Sequence, residues 1–164
     1  MKIGIVSDTH GKAARLENAL DVFEKRQVDA VVHCGDIGSV ECLEVLASSK
    51  APVYAVAGNL DRDIPTLEQA AIDMGIHFSW EVIELPVGGE RHLVATHGHD
   101  RNILRELVAE GQFAYVCHGH THRFQNKLIG EVRVINPGAL YHTWPLTVAI
   151  LDTETDTVEQ IRIH

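Results

Sequence analysis

Residue types that bind metal ions recur at five separate places in this sequence, in most cases directly after a short apolar run. The five segments are Asp8-Thr9-His10, Gly35-Asp36, Gly58-Asn59-Leu60-Asp61, His97-Gly98-His99 and Gly119-His120-Thr121-His122. Neutral imidazoles combined with carboxylate and amide oxygens suit a hydrolytic site for manganese, zinc, iron or magnesium, whereas structural zinc favours thiolates in closed tetrahedra. The set is too large for one ion, and we therefore expect two.

A pair of such ions has a specific chemistry. Two cations about 3.5–4 Å apart, sharing a carboxylate, can bind a hydroxide between them and hold the phosphoryl oxygens during an in-line displacement. Glycines beside the candidate ligands allow tight turns and let an anionic substrate approach the backbone. The residues and their pattern therefore indicate hydrolysis of a phosphate ester.

The elements that must position these residues begin as alternating strands and helices. Apolar runs predict strands at residues 3–6, 30–33 and 53–56, and helical spacing of apolar residues predicts crossover helices between them. A further short helix is expected from about residue 65 to 74. Candidate ligands follow all three strands, at the carboxyl ends where open α/β sheets place their sites.

The second half of the sequence is mostly strand-like. Residues 82–85 and 93–95 flank Gly88-Gly89 as a hairpin would, and Asp100 is predicted to cap one more helix. The remaining predicted strands lie near residues 114–117, 124–129, 132–135, 146–151 and 157–163. Two packed sheets flanked by helices, in one domain spanning residues 1–164, would bury all of these runs.

Composition narrows the partners and the compartment. The 164 residues carry a net charge of -9, and no stretch concentrates basic residues, so long nucleic acid is not expected as a partner. No apolar run approaches the length of a membrane span, and the N-terminus lacks the pattern of a signal peptide. We therefore expect a cytoplasmic protein without membrane attachment. The three cysteines, at irregular spacing, are expected to be reduced and buried.

The five motifs, D-x-H, G-D, G-N-x-D, H-G-H and G-H-T-H, resemble in order and spacing those of the calcineurin-like metallophosphoesterase superfamily. The resemblance is to its small stand-alone phosphodiesterases of the YfcE type and covers essentially the whole chain. It implies a four-layer α/β/β/α sandwich, in which two mixed β-sheets are flanked by helices. It also implies a small phosphate-ester substrate, and a homodimer or homotetramer such as small relatives commonly form.

The resemblance also implies the metal ligands. The first metal would be bound by Asp8, His10 and His122, and Asp36 would bridge the two metals. The second metal's other ligands would be Asn59, His97 and His120. Manganese is the expected metal, with zinc, iron, nickel or magnesium as alternatives.

One position departs from the wider family. The residue after the motif asparagine is often a histidine that acts on the leaving group, and here it is Leu60. General acid catalysis contributes about 10²–10⁴-fold, so its loss favours esters with acidic leaving groups, such as aryl phosphodiesters. We predict His99 as the substitute acid and count Asn59 with it as a catalytic residue. Asp61, which would orient the missing histidine, is expected only to support its loop.

Less specific interpretations exist for each motif. Asp36 and Asn59 could be turn residues that accept backbone amides, and His33 and His118 are expected to be buried imidazoles with satisfied hydrogen bonds. A different function is also open, because a retromer subunit of the same fold acts chiefly as a protein-interaction scaffold with an incomplete metal site. This chain keeps every expected ligand, which favours catalysis. Nuclease members would need accessory domains and a basic surface, and the sequence shows neither.

Overall fold

The computed structural model describes residues 1–164, which form eleven strands and four helices. The strands are β1 (Lys2–Val6), β2 (Ala30–His33), β3 (Val53–Val56), β4 (His77–Ser79), β5 (Val82–Pro86), β6 (His92–Thr96), β7 (Tyr115–Cys117), β8 (Gln125–Ile129), β9 (Val132–Asn136), β10 (Leu146–Asp152) and β11 (Thr157–Ile163). The helices are α1 (Ala13–Lys25), α2 (Val40–Ala47), α3 (Ile64–Asp73) and α4 (Arg101–Ala109). None of the four helices combines the length and the apolar character that crossing a membrane requires.

The strands form two mixed sheets. The first sheet has the order β11-β10-β1-β2-β3-β4, in which β1 to β4 run parallel and β10 is antiparallel to both of its neighbours. The second sheet has the order β5-β6-β7-β9-β8, with β6, β7 and β9 parallel and the two edge strands antiparallel. In each sheet, the loops after the parallel strands therefore leave from one edge.

Three apolar cores separate four layers. Helices α1, α2 and α3 cover the outer face of the first sheet through a core that includes Phe23, Leu43 and Val31. A second core, which includes Ile5 and Leu93, fills the space between the two sheets. Alternating side chains of β1 explain this division, because successive residues of a strand point to opposite faces. The glycine Gly4 lies under Phe23, where an added Cβ would approach the ring to 2.7 Å.

Helix α4 covers the outer face of the second sheet. Leu104 and Leu107 pack against a small core of Val94 and Val134, and the predicted cap is present, since Asp100 Oδ1 accepts the backbone N–H of Asn102 at 2.8 Å. The expected α/β/β/α sandwich of two mixed sheets flanked by helices is therefore confirmed.

Two further observations concern the sequence-based predictions. The sequence did not predict β4, a three-residue strand that pairs in parallel with β3 at the edge of the first sheet. The three cysteines, Cys34, Cys42 and Cys117, are free and buried, as predicted.

Candidate metal centre

Loops from both sheets meet where the parallel strands end. The loops after β1 and β2 are joined by backbone hydrogen bonds, from Asp8 N to the Gly35 carbonyl at 3.0 Å and from His10 N to the Asp36 carbonyl at 2.9 Å. The two sheets are joined in turn, because Asp8 Oδ2 accepts the backbone N–H of His120 at 3.0 Å. The site is therefore built across the junction of the sheets.

Two groups of ligand atoms lie at this junction. Within each group, the ligand atoms are all within 4.8 Å of one another. The first group consists of Asp8, His10 and His122, and the second of Asp8, Asp36 and His97. In the first group Asp8 Oδ1 is 3.2 Å from His122 Nε2 and 3.8 Å from His10 Nε2.

Asp36, a member of the second group, also lies close to His10 of the first group. Its Oδ2 is 3.6 Å from His10 Nε2 and 3.4 Å from His97 Nε2. Asp36 is the bridging ligand that the family resemblance implies, and the structure adds Asp8, which is common to both groups. Two carboxylates can therefore approach both halves of the site.

Asn59 and His120 complete the set on the His97 side. Asn59 Oδ1 is 3.0 Å from His97 Nε2, while the other ring nitrogen of His97 lies 2.8 Å from the Cys34 carbonyl. The His120 ring is edge-on to the His97 ring, with 5.2 Å between centroids. The structure thus brings all seven predicted ligands to one place, although the His120 imidazole belongs to neither compact group.

Two buried ligand atoms have no hydrogen-bond partner. They are Asp8 Oδ1 and His10 Nε2, both in the first group. Leaving a buried polar atom unpaired costs about 1–3 kcal/mol, and more for a charged group. A divalent cation between these two atoms would satisfy both, so the residues present fit a metal site.

The protonation of two of the imidazoles, His10 and His120, also suits metal binding. Burial lowers the pKa of His10 and of His120, despite the opposing attraction of Asp36 and Asp8. A lowered pKa leaves each ring neutral near pH 7, with a lone pair free for a cation. Burial opposes protonation of His97 as well, but contact with Asp36 outweighs it and raises the pKa of His97. The same contact lowers the pKa of Asp36 against the effect of burial.

Backbone conformation is unusual at the ligands. Five of the seven have a positive φ, with values of 55° at Asp8, 48° at His10, 55° at Asp36, 64° at His120 and 57° at His122. This left-handed region is uncommon for residues other than glycine, and such strain concentrates at functional sites. Each turn directs its side chain back toward the junction of the sheets.

Asp61 fixes the loops that carry Asp36 and Asn59. Its carboxylate is buried and accepts the backbone N–H groups of Gly58 at 2.8 Å, Gly38 at 2.7 Å and Ile37 at 3.1 Å. The supporting role expected for Asp61 agrees with these contacts.

The sequence and the fold can be compared with those of known proteins. A family model described as a calcineurin-like phosphoesterase superfamily domain matches residues 1–156. The chain belongs to this superfamily. The resemblance seen in the five motifs is thereby confirmed.

Individual relatives of this phosphoesterase support the assignment. Phosphodiesterase MJ0936 from Methanocaldococcus jannaschii is 32% identical over 164 residues, covering 98% of each chain. Phosphodiesterase YfcE from Escherichia coli is 28% identical over 153 residues, which are 85% of this chain and 79% of that one. A solved archaeal phosphodiesterase superposes with a TM-score of 0.90 at 31% identity over the whole of both chains. Zinc-bound Vps29 from Entamoeba histolytica, at 19% identity over 99% of each chain and a TM-score of 0.69, shares the fold alone.

Sequence reasoning missed two residues that contact the site of this phosphoesterase, and it left the role of a third open. Ser7 Oγ donates to Asp8 Oδ2 at 2.6 Å, and the Tyr141 ring lies 4.9 Å from the His10 ring. The sequence Asn136-Pro137-Gly138 resembles a family turn near the site, although a structural bend explains it equally well. The Asn136 amide donates to the Gly119 carbonyl at 2.7 Å and lies 3.1 Å from Thr121 Oγ1, so it shapes the loop that carries two ligands.

The other histidines near the site fall into two kinds. His33 is fully buried, with ring nitrogens 2.7 Å from Thr9 Oγ1 and 3.2 Å from Gly35 N, and burial lowers its pKa to about 3. The rings of His33 and His118 both have hydrogen-bond partners, as expected. His99 is exposed, with its ring centroid 5.5 Å from that of His97. It therefore lies beside the ligands without a fixed partner.

Proposed function

We propose that this chain is a phosphodiesterase that acts on small phosphate esters with two divalent cations bound at the junction of its sheets. The seven ligands would be those named from the sequence, and Asp36 would contact both cations. The observation that carries the proposal is the pair of buried, unpartnered ligand atoms, Asp8 Oδ1 and His10 Nε2. When bound, the two cations would supply a bridging hydroxide as nucleophile and positive charge to stabilise the phosphoryl oxygens.

The charge of the ligand set supports an anionic substrate. Asp8 and Asp36 contribute two negative charges, and the neutral imidazoles of His10 and His120 contribute none. Two divalent cations would leave the centre net positive even though the chain is acidic as a whole. A phosphodiester monoanion would therefore be attracted to this one place on the protein.

The leaving-group side of the site supports a preference for acidic leaving groups. Leu60 is 55% exposed beside Asn59 and has no group that can donate a proton. Asp61 is occupied by three backbone amides and is not available as a proton donor in its place. We propose His99 as the acid, since its exposed ring is near the second group, and aryl phosphodiesters as the best substrates.

Several finer properties belong to the same proposal. Manganese is the proposed native metal, residues 1–164 are proposed to act as one catalytic domain, and a homodimer or homotetramer in the cytoplasm is the proposed form. The names of two relatives, both called phosphodiesterases, support the reaction class. An interaction scaffold of the retromer type would account for the fold. It would give no physical reason for two buried ligand atoms without partners.

A chelation and reloading experiment tests the proposal. Metal-free protein would be loaded with manganese, zinc, nickel or magnesium and its metal content measured by mass spectrometry. Hydrolysis of bis(p-nitrophenyl) phosphate would be compared with that of p-nitrophenyl phosphate. We expect two ions per chain and faster cleavage of the diester. Loaded protein that cleaves neither ester would overturn the catalytic proposal.

A further inference from the structure

A groove runs from the candidate metal centre between α4 and the edge of the second sheet. Its volume is ≈ 710 Å³. One end is lined by Gly98 and His120. Gly98 follows the proposed ligand His97 in the sequence, and His120 is a proposed ligand itself. A phosphodiester at the centre would therefore have one of its two ester groups directed along this groove, if the proposed function holds.

The walls of the groove are largely apolar. Leu104 and Val108 of α4 line one side, and Ile129 and Val134 of β8 and β9 line the other. Helix α4 has no fully buried residue, although its apolar side chains face the sheet. Ile129 is 41% exposed. Apolar surface left accessible beside a candidate active site favours binding of an apolar part of a ligand.

Two unpaired cations also line the groove. Arg101 and Arg105 are four residues apart, so they lie on one face of α4. Neither takes part in any of the ion pairs of the structure. In a chain with a net charge of -9, two free guanidinium groups at one groove indicate a negatively charged ligand.

We propose that this groove binds the second ester group of the substrate, an aryl or similarly large apolar group that carries its own anionic substituent. A benzene-sized ligand fills a cavity of about 150 Å³. The groove can therefore hold a group of several times that size. This inference rests on the proposed function and adds to it the chemical class of the part of the substrate that does not react.

Three substrates with the same leaving group test the inference. They are the p-nitrophenyl phosphodiesters whose second ester group is methyl, phenyl or 4-carboxyphenyl. We expect kcat/KM of the manganese-loaded enzyme to rise about tenfold from methyl to phenyl, because apolar area is buried. It should rise about fivefold more from phenyl to 4-carboxyphenyl, and high salt should reduce this second step.

Variants with matched controls separate the two contributions. The double variant Arg101→Gln, Arg105→Gln should bring the 4-carboxyphenyl to phenyl ratio to about one. The control Lys25→Gln, Arg162→Gln removes the same charge from exposed positions on the first-sheet side and should leave the ratio unchanged.

Ala109→Trp, at an exposed position that lines the groove, should lower the phenyl to methyl ratio about fivefold. Gln112→Trp, exposed and outside the groove, is its control.

The outcomes distinguish the inference from the function on which it rests. If the loaded enzyme cleaves none of the three esters, the proposed function fails. If it cleaves all three esters with equal kcat/KM, and the groove variants match their controls, the groove inference alone is wrong. Nuclear magnetic resonance of the zinc-loaded protein, which is diamagnetic, with phenyl and 4-carboxyphenyl methylphosphonates gives a second readout. Shift changes at α4 residues would support the groove, and changes confined to the loops at the centre would contradict it.

Discussion

The two sheets contribute different chemistry to the candidate metal centre. The loops of the first sheet supply all the candidate oxygen ligands together with the His10 imidazole, and the carboxylates among them, Asp8 and Asp36, are almost completely buried. The loops of the second sheet supply imidazoles, two of which remain more accessible, since the His122 side chain is 24% exposed and His120 is exposed. The negative charge that would attract cations is therefore fixed on one sheet, and the candidate ligands of the other sheet are all ring nitrogens.

The loops are also held by different groups. On the first sheet the charged carboxylate of Asp61 accepts three backbone N–H groups. On the second sheet the neutral amide of Asn136 donates to the Gly119 carbonyl and contacts Thr121. Hydrogen bonds to a charged group are stronger than those between neutral groups. The difference indicates that the carboxylate side is held more rigidly than the imidazole side.

Loss of a first-sheet carboxylate should have the largest effect. Asp36→Ala removes the oxygen that lies between His10 and His97, and we expect kcat/KM for an aryl phosphodiester to fall more than about 100-fold. Metal content, measured by mass spectrometry, should fall below two ions per chain. Asp21→Ala, an exposed carboxylate on α1, serves as the control. Full activity in Asp36→Ala would show that the carboxylates do not dominate the centre.

Removing the carboxylate that holds the first-sheet loops should be the next most severe change. Asp61→Ala leaves three backbone N–H groups without an acceptor, and we expect the free energy of unfolding to fall by about 3–5 kcal/mol. Chemical denaturation of the metal-free protein measures this directly. The exposed Asp73→Ala should change it by less than about 0.5 kcal/mol. Equal stability of the two variants would show that the hydrogen bonds of Asp61 do not hold the first-sheet loops more rigidly.

The corresponding change on the second sheet should be smaller. Asn136→Ala removes neutral hydrogen bonds, and we expect a loss of about 2 kcal/mol of unfolding free energy and about tenfold weaker metal binding. Titration of the metal-free protein with manganese gives the affinity. Asn126→Ala, at an exposed position on β8, is a matched amide control. A larger loss than in Asp61→Ala would reverse the assigned order of rigidity.

A change at the mouth of the site should increase activity. Leu60 is tied to Asp36 only through its backbone N–H, at 2.8 Å, so its exposed side chain can be replaced without disturbing that contact. Leu60→His should raise kcat/KM for alkyl phosphodiesters about tenfold relative to aryl ones. This gain is smaller than the about 10²–10⁴-fold typical of general acid catalysis because Asp61 is not free to orient the new ring. Leu60→Gln controls for polarity, and an equal gain in that variant would argue against proton donation.

The last expected effect concerns the pH dependence of stability at the first-sheet loops. Burial lowers the pKa of His33 to about 3, whereas an unfolded chain protonates this ring near pH 6.5. The unfolded state therefore binds the extra proton between these values, and stability present above pH 6.5 is lost as the pH falls, by at most about 1.4 kcal/mol per unit. Denaturation of metal-free protein at pH 7.5, 6 and 5 should show a shallower loss in His33→Gln. Identical slopes would mean that His33 is protonated in the folded protein.

The sequence predicts those parts of this molecule that depend on local pattern. Strands such as β1 and β3 are continuous apolar runs, and Asp100 is a typical cap, so these elements were predicted correctly. Strand β4 has only three residues, too few to show a periodicity, and it forms because β3 offers an unpaired edge. The pattern could not place it.

The residues of the site also divide into those that the local sequence identifies and those that it does not. Motif order identifies the candidate ligands, but the hydrogen bond between the Asn136 amide and the Gly119 carbonyl depends on the pairing of β9 with β7. The shared position of Asp8 and the groove beside α4 also arise from tertiary packing. Nothing in the local sequence around Ser7 distinguishes it from any other serine at the end of a strand.

The left-handed backbone at the candidate ligands determines which substitutions there would stabilise the protein. Glycine at His10, His120 or His122 would relax the backbone by about 1 kcal/mol and remove a candidate ligand in the same step. A gene copy released from selection for activity would therefore gain stability by losing candidate ligands at these three codons. Selection must act continuously against such stabilising replacements wherever the ligands persist.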